Sequence, residues 1–563
     1  MNVKLNALID KVLDTDFKQI EKDFFDSLNH KDIPNNGYAI PMLFCHALAC
    51  SDLIVDKIPR LSSADHISVF KALSTILEYL LNRTNFDIKS FTPFFDKCIE
   101  IDTCVAELFD EYFGNLFYLN FITSIREGYW DIVNKEEYIL FSINKKMRRS
   151  ALNILATKAE YFSCSEEVRD ILDNIEKYEP EMLPLKQGIQ DLEILYNGVP
   201  EAWEFFLNGL KYTPKDIVSF RGFMMYIRRV DRIWFRYKDL WKIWGEYAKE
   251  FKQEDIEREI FDCLLDFFSI KPGDAVKWGV QIPFIKIGDW YAYWFFYFHA
   301  MNPNLTLLSL WIRKYNRLWS NTLGSKMADV SAYIESCLPI VNGVFTVSQR
   351  LLKGISDIDL AVYDSINNHL LICEVKTVFD KFRTNYQFTN FLNQKVNYVK
   401  ASSQLMKIIK ELTNNNKILE CIVCVKIKQE KMRITHMVLT WWDISNPNID
   451  TSYNDILCCN FKTFLYLYRK TNGDIGLLSD SIKQLANIFC PAGLVYDSVL
   501  YNNQELKYIR EVQTDLLPPL SNLNGFSFNA IVIEEINNLA KFPEDWKEQV
   551  KITDDDPELF NFY

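Results

Sequence analysis

Glycine and proline are scarce in this 563-residue chain, 18 of each, which argues against a long structureless linker and for a helix-rich protein. Histidine is scarcer, six in all, so no histidine-based metal cluster stands out. Positive charge falls short of negative, 63 Lys and Arg against 75 Asp and Glu, a net of −12. A protein that holds nucleic acid by bulk positive charge is thereby excluded, and any such binding must use a local patch. No apolar run reaches the ~18 residues of a membrane span. The nearest, Trp290 to Met301, stops at Asn302-Pro303-Asn304. An export signal is missing too, since Asp10, Asp14 and Asp16 interrupt the place of its apolar core. The 13 cysteines therefore read as reduced thiols of a cytoplasmic protein with no membrane partner. Cys421 and Cys424 lie in the apolar run ECIVCVKI, where strand alternation sends them to opposite faces, so they carry no zinc site.

What is present is material for large packed cores. Apolar residues are 48% and charged residues 25%, near the globular average, and aromatics reach 15%. The length calls for two or more structural units. The first 320 or so residues read as successive helices, for example Asn6 to Leu28, Pro41 to Ile58, Ile67 to Asn82 and Thr103 to Val133. From Phe223 to Phe251 the apolar residues Phe223, Ile227, Val230, Trp234, Tyr237, Trp241, Trp244 and Ala248 recur at helical spacing. After Gly324 the texture changes. A helix over Ser325 to Leu338 leads into β-rich runs at 344–348, 355–364 and 370–378. A helix over Phe391 to Leu412 and strands at 418–428 and 433–442 follow. Beyond, Asn472-Gly473 between two apolar runs signals a β-hairpin, and the chain ends in an acidic tail. The expected fold is multidomain, α and α/β. It has a large all-helical N-terminal domain (1–321), an α-β-β-β-α-β core domain (322–445) and a small α+β C-terminal region (446–563).

The segment that carries chemistry is GISDIDLAVYDSINNHLLICEVKT, Gly354 to Thr377. Closing an antiparallel hairpin with the loop Ser365-Ile366-Asn367-Asn368 sets Asp364 opposite His369. Counting back sets Asp359 opposite Glu374 and Asp357 opposite Lys376, all on one face. Two carboxylates about 5 Å apart at Cβ can clamp a hard divalent cation such as Mg²⁺. A neighbouring lysine can orient or deprotonate a water, or neutralise charge developing on a phosphate. The same alternation also describes the solvated face of an ordinary hairpin, with Asp357 and Lys376 as a cross-strand pair. However, LLICEVK reads as a strand buried on both faces, and charges ending such a strand need a partner or a metal.

The segment resembles the core of the PD-(D/E)xK nuclease superfamily, the restriction-endonuclease-like fold, over about residues 325–445. In that family a glycine precedes an acidic-Ile-Asp-Leu strand, and an apolar strand ending Glu-x-Lys follows. The resemblance implies metal ligation by Asp359, Glu374 and the carbonyl of Val375, with Lys376 as catalytic lysine. It also implies supporting roles for Glu335 on the preceding helix and Gln404 on the following one. Gln394, with Tyr398 four residues on, is a second candidate for that glutamine. Ile358 stands where the family's proline would be. The cofactor implied is Mg²⁺, with Mn²⁺ as substitute.

Charge distribution points to the same segment. Residues 341–433 hold 14 Lys and Arg against 8 Asp and Glu, a net of +6, which leaves −18 for the rest. Lys381, Arg383, Lys395 and Lys400, with Lys407 and Lys410, are candidates to hold a polyanion. A second strip, Arg221, Arg228, Arg232 and Arg236 among Tyr226, Trp234 and Tyr237, can be read as a stacking platform or as core aromatics with paired arginines. The functional expectation is a Mg²⁺-dependent DNA endonuclease. Its helical extension resembles that of bacterial antiviral defence effectors, in which the extension senses a trigger, oligomerises or selects substrate, and a homo-oligomer or a partner defence protein is expected. The alternatives are an RNA or branched or single-stranded DNA nuclease of the same fold, and a non-catalytic nucleic-acid-binding scaffold.

Overall fold

The computed structural model describes residues 89, 92, 130–134, 139–144, 148–162, 206–227, 230, 232–251, 257–272, 283–293, 310–311, 314–319, 321, 330–352, 356–376, 386–414, 432–440, 456–501, 504–513, 517 and 523–539. The helices expected over 6–28, 41–58 and 67–82, the strand at 418–428 and the acidic tail lie outside them. Among the described residues, 51% are helical and 28% lie in strands of three mixed sheets. No described helix is long and apolar enough to cross a membrane.

The expected all-helical N-terminal domain is corrected at once. Strands β1 (Trp130–Asn134) and β2 (Ile139–Ile143) pair antiparallel, Trp130 opposite Ile143, where the periodicity predicts the end of a helix. Helix α1 (Ala151–Phe162) follows. Two compact units divide the chain, and these elements belong to the one that draws on 128–164, 324–380 and 387–563.

The other unit takes its described residues from within 1–127, 165–323 and 381–386. Helix α2 (Pro214–Ile227) leads to strand β3 (Trp234–Arg236), helices α3 (Tyr237–Glu250) and α4 (Arg258–Phe267), and strands β4 (Ser269–Ile270), β5 (Phe284–Ile287) and β6 (Trp290–Tyr293). The strands form a sheet in the order β3-β6-β5-β4. The aromatic stripe from Phe223 to Phe251 is therefore not one helix but two with a strand between. Trp234 is buried in β3, and the period restarts in α3 with Leu240, Trp244, Tyr247 and Ala248 inward. Its rings share one core: Phe223 meets Trp244 edge-on at 5.3 Å, and Phe220 stacks on Phe268 at 5.5 Å.

The remaining elements complete the first unit named. They are α5 (Val330–Cys337), β7 (Val344–Leu352), β8 (Ser356–Asp364), β9 (His369–Lys376), α6 (Tyr386–Asn414), β10 (Arg433–Thr440), β11 (Ile456–Asn460), α7 (Phe461–Lys470), α8 (Ile475–Asn487), β12 (Ala492–Tyr501), β13 (Gln504–Gln513) and α9 (Ala530–Leu539). Five strands order as β11-β10-β9-β8-β7, antiparallel from β7 to β9 and parallel from β9 to β11. Helix α6 covers one face through Tyr398, Ala401, Leu405, Ile408 and Leu412, a stripe at spacings of three and four, against Ala361, Tyr363, Leu370, Ile372 and Val438. On the sheet's remaining contacts, α5 meets β7 and β8, α7 meets β10 and β11, and α8 meets β9 and β11.

The C-terminal region shares its sheets with earlier parts of the chain. Strand β11 belongs to the five-stranded sheet, while β12 and β13 join β1 and β2 in the order β1-β2-β13-β12. The hairpin expected at Asn472-Gly473 is a helix-turn-helix corner between α7 and α8. Asn472 (φ 50°) and Gly473 (φ 76°) are left-handed, the backbone that closes a helix C-terminus as readily as it turns a hairpin. Asp474 then caps α8, accepting the Leu477 N–H at 2.9 Å.

At the turn end of the β8–β9 hairpin, His369 is buried, its Nε2 2.8 Å from Thr435 Oγ1. Burial first, and then the Arg433 charge, holds its pKa below the ordinary histidine value, against the opposing pull of Asp364, Asp474 and Asp480. A histidine that binds its proton less readily folded than unfolded lowers stability as pH falls through about 6.5. We predict that His369→Gln flattens the decline in urea midpoint between about pH 7.5 and 5.5. An unchanged slope would assign that decline to other groups.

Candidate active site

The hairpin that carries the candidate residues has the register its loop length dictates. Asp364 faces His369, and the ladder runs to Leu360 opposite Cys373. Asp364 fixes the loop by accepting the Ile366 and Asn367 N–H groups, each at 3.0 Å. The pairs expected beyond, Asp359 with Glu374 and Asp357 with Lys376, lie past the last hydrogen-bonded pair. There the Val375 N–H is taken by a side chain instead, donating to Asp359 Oδ2 at 2.7 Å. The side chain of Asp357 is outside the described residues.

Strand β9 is central, between antiparallel β8 and parallel β10. Its side chains are buried from His369 to Glu374, and Val375 and Lys376 are half-buried. Glu374, 3% exposed, points with Ile372 toward α6 by the alternation of the strand. Its charge is met by Lys376, whose Nζ lies 2.5 Å from Glu374 Oε1 and donates to Gln404 Oε1 on α6 at 3.0 Å. Gln404 reaches the pair because it adjoins Leu405 at the edge of the buried stripe. Asp359, Glu374, Val375, Lys376 and Gln404 are thus brought to one place. On the other face of β9 the Cys373 thiol is pushed up, by burial first and then by the Asp359 charge.

Glu335 is not brought to this group. On α5 it accepts a hydrogen bond from Ser348 Oγ. Ser348 pairs with Leu360 in the register of β7 and β8, on the face of Leu360 and Cys373, opposite to Glu374. A glutamate read from its place before the hairpin carries no information about which side of the sheet α5 takes. The competing glutamine, Gln394, lies in α6, as does Lys395, both with side chains outside the described residues. Lys381 and Arg383 are outside them altogether. Lys400, Lys407 and Lys410 are exposed on α6.

The second arginine strip resolves into structural contacts. Arg221 is buried, Arg232 pairs with Asp239 at 2.9 Å and lies over Phe235, Arg236 lies over Trp290, and Tyr226 donates to Glu250. Arg228 is outside the described residues.

The donor set suits a hard cation: two carboxylates and a backbone carbonyl supply only oxygen. Asp359 Oδ2 and Glu374 Oε1 are each engaged by the protein itself, so the cation would have to share these carboxylates with Val375 N–H and Lys376. Among the described residues no group of three or more His, Cys, Asp or Glu side chains is placed to hold a metal ion, so water would have to fill the remaining positions, as Mg²⁺ prefers. Among the described residues, Cys263, Cys337, Cys373, Cys458, Cys459 and Cys490 are free thiols.

No protein-family model, curated protein or solved structure matches the chain.

Proposed function

We propose that the protein is a Mg²⁺-dependent nuclease that hydrolyses phosphodiester bonds, with DNA as substrate. The observation that carries this reading is the buried Glu374 carboxylate locked to Lys376, beside Asp359 and under Gln404. An ion pair so nearly withdrawn from water stabilises a fold poorly compared with apolar residues of the same size, so its retention suits a chemical task. The spacing Asp359 to Glu374-x-Lys376 resembles that of PD-(D/E)xK nucleases.

Asp359, Glu374 and the Val375 carbonyl would hold the cation, with Mn²⁺ as substitute. Mg²⁺ when bound supplies Lewis acidity toward a phosphoryl oxygen and makes water a better nucleophile. Lys376 donates a hydrogen bond to the attacking water, or to the phosphate oxygen on which charge grows. Gln404 accepts from the same ammonium and fixes its direction, so the lysine needs no reorganisation when charge develops. Glu335, held by Ser348, has no part in the reaction. A cytoplasmic site and a role in antiviral defence, as a homo-oligomer or with a partner defence protein, belong to the same proposal.

Plasmid DNA and single-stranded RNA offered with Mg²⁺, Mn²⁺ or EDTA test it. Wild type is expected to cut DNA with either metal and not with EDTA, and Glu374→Ala to cut neither polymer. Cutting that survives Glu374→Ala would sink the site assignment, and preferential cutting of RNA would replace DNA as the substrate.

A further inference from the structure

Helix α6 buries one stripe and leaves Gln404 at its edge, so the residues one turn on either side of Gln404 are fixed by helix geometry. With about 3.6 residues per turn, Lys400 and Lys407, four before and three after, lie on the same side of the helix as Gln404. Both are exposed, and among the described residues neither forms an ion pair. Lys410 is exposed as well, but is rotated a further ~60° from Gln404 than Lys407 is. Glu411, half-buried one turn past Lys407, ends the basic stretch. Two cations without an ion pair among the described residues thus flank the residue that holds Lys376.

Resting on the nuclease reading above, we propose that Lys400 and Lys407 contact the DNA phosphates on the two sides of the one that enters the site. The substrate strand then runs along the exposed edge of α6. The interval between the two lysines along the helix axis is ~10.5 Å at ~1.5 Å per residue. That is about three nucleotide steps of ~3.4 Å along the duplex axis for one DNA strand, enough to place a phosphate at each lysine with two between them, one of which lies beside Gln404. The charge agrees: these lysines lie in the segment that carries +6 within a chain of −12. Contacts of this kind position the backbone without reading sequence.

The test separates this inference from the nuclease reading. Full-length protein carrying Glu374→Gln, with or without Lys400→Gln or Lys407→Gln, is titrated with fluorescein-labelled DNA and RNA oligonucleotides at several salt concentrations. Each lysine variant is expected to reduce the slope of log affinity against log salt for DNA by about one. Lys410→Gln is expected to change it by less than half as much. In the otherwise wild-type enzyme each variant should raise KM about tenfold with kcat within twofold. Normal cleavage by wild type with unchanged slopes in both lysine variants would overturn the inference and leave the nuclease reading standing. An effect of Lys410→Gln equal to theirs, or losses confined to RNA, would also overturn it. A wild type that neither cuts nor binds would remove the nuclease reading and this inference with it.

Discussion

Lys376→Met is expected to slow cleavage by about 10²–10⁴-fold and to destabilise the protein by about 3–5 kcal/mol. Both effects come from one geometry. The Glu374 side chain is 4% exposed and that of Lys376 18%, with their charged atoms 2.5 Å apart. Removing the ammonium leaves a carboxylate in a desolvated place with Gln404 losing its donor, and a buried charge without its counter-charge costs far more than the pair ever contributed. Adding Glu374→Gln to Lys376→Met replaces the stranded charge by a neutral amide, so the double variant should regain part of the stability and none of the activity. Mg²⁺ should also restore stability to Lys376→Met, because a cation on Glu374 substitutes for the lost ammonium. Urea midpoints of the four proteins, with and without Mg²⁺, give the cycle. Additive losses, with no recovery in the double variant, would mean that the pair is not a closed buried unit.

Glu511→Ala is expected to cost about 3–5 kcal/mol without touching the site. Glu511 is 1% exposed on β13. It accepts the Ile143 N–H at 2.7 Å and the Ser142 hydroxyl at 2.9 Å from β2, and pairs with Arg148 at 3.2 Å. One carboxylate thus ties the end of β2 to a strand 368 positions away in sequence. Strands β2 and β13 themselves are registered only at Leu140–Ile509 and Phe141–Arg510, so the side chain does much of the holding. Domains are stable by only ~5–15 kcal/mol, and the alanine variant should show a large drop in urea midpoint. Glu511→Gln keeps an acceptor for the Ile143 N–H and should lose less. Equal stability of Glu511→Ala and wild type would refute the clamp.

The parts of this protein that sequence discloses are those whose partners are close along the chain. The β8–β9 register follows from a four-residue loop and strict alternation, and the reach of Gln404 follows from helix spacing once α6 is fixed by its stripe. The side of the sheet taken by Glu335 depends on how α5 packs, and no local pattern encodes it. Strands β1 and β2 were hidden because WDIVN and ILFSI are short and find β13 only across the length of the chain. The aromatic stripe misled because Trp234 in β3 falls on the helical period by coincidence of spacing, and aromatics suit either element. Asn472-Gly473 signals only that the backbone turns left-handed there, and both a hairpin and a helix end use that conformation. The spacing Lys400, Gln404, Lys407 was visible in the sequence, but gained meaning only when Gln404 met Lys376.

The sheet that joins residues near 140 to residues near 510 also sets a clock. Ser142 and Glu511 are separated by 369 positions, and at ~5–20 residues per second a ribosome needs about 20–70 s to make the distance. Throughout that interval β1 and β2 have emerged without the strand that completes their sheet, and α1 waits for α7, α8 and α9, which it packs against. The segment that holds Asp359, Glu374, Lys376 and Gln404 is synthesised inside the same interval and belongs to the same compact unit. A nascent chain therefore gains a finished unit around its charged pair only near the end of translation. Messages truncated before β13 should yield protein that chaperones and proteases remove rather than an active fragment.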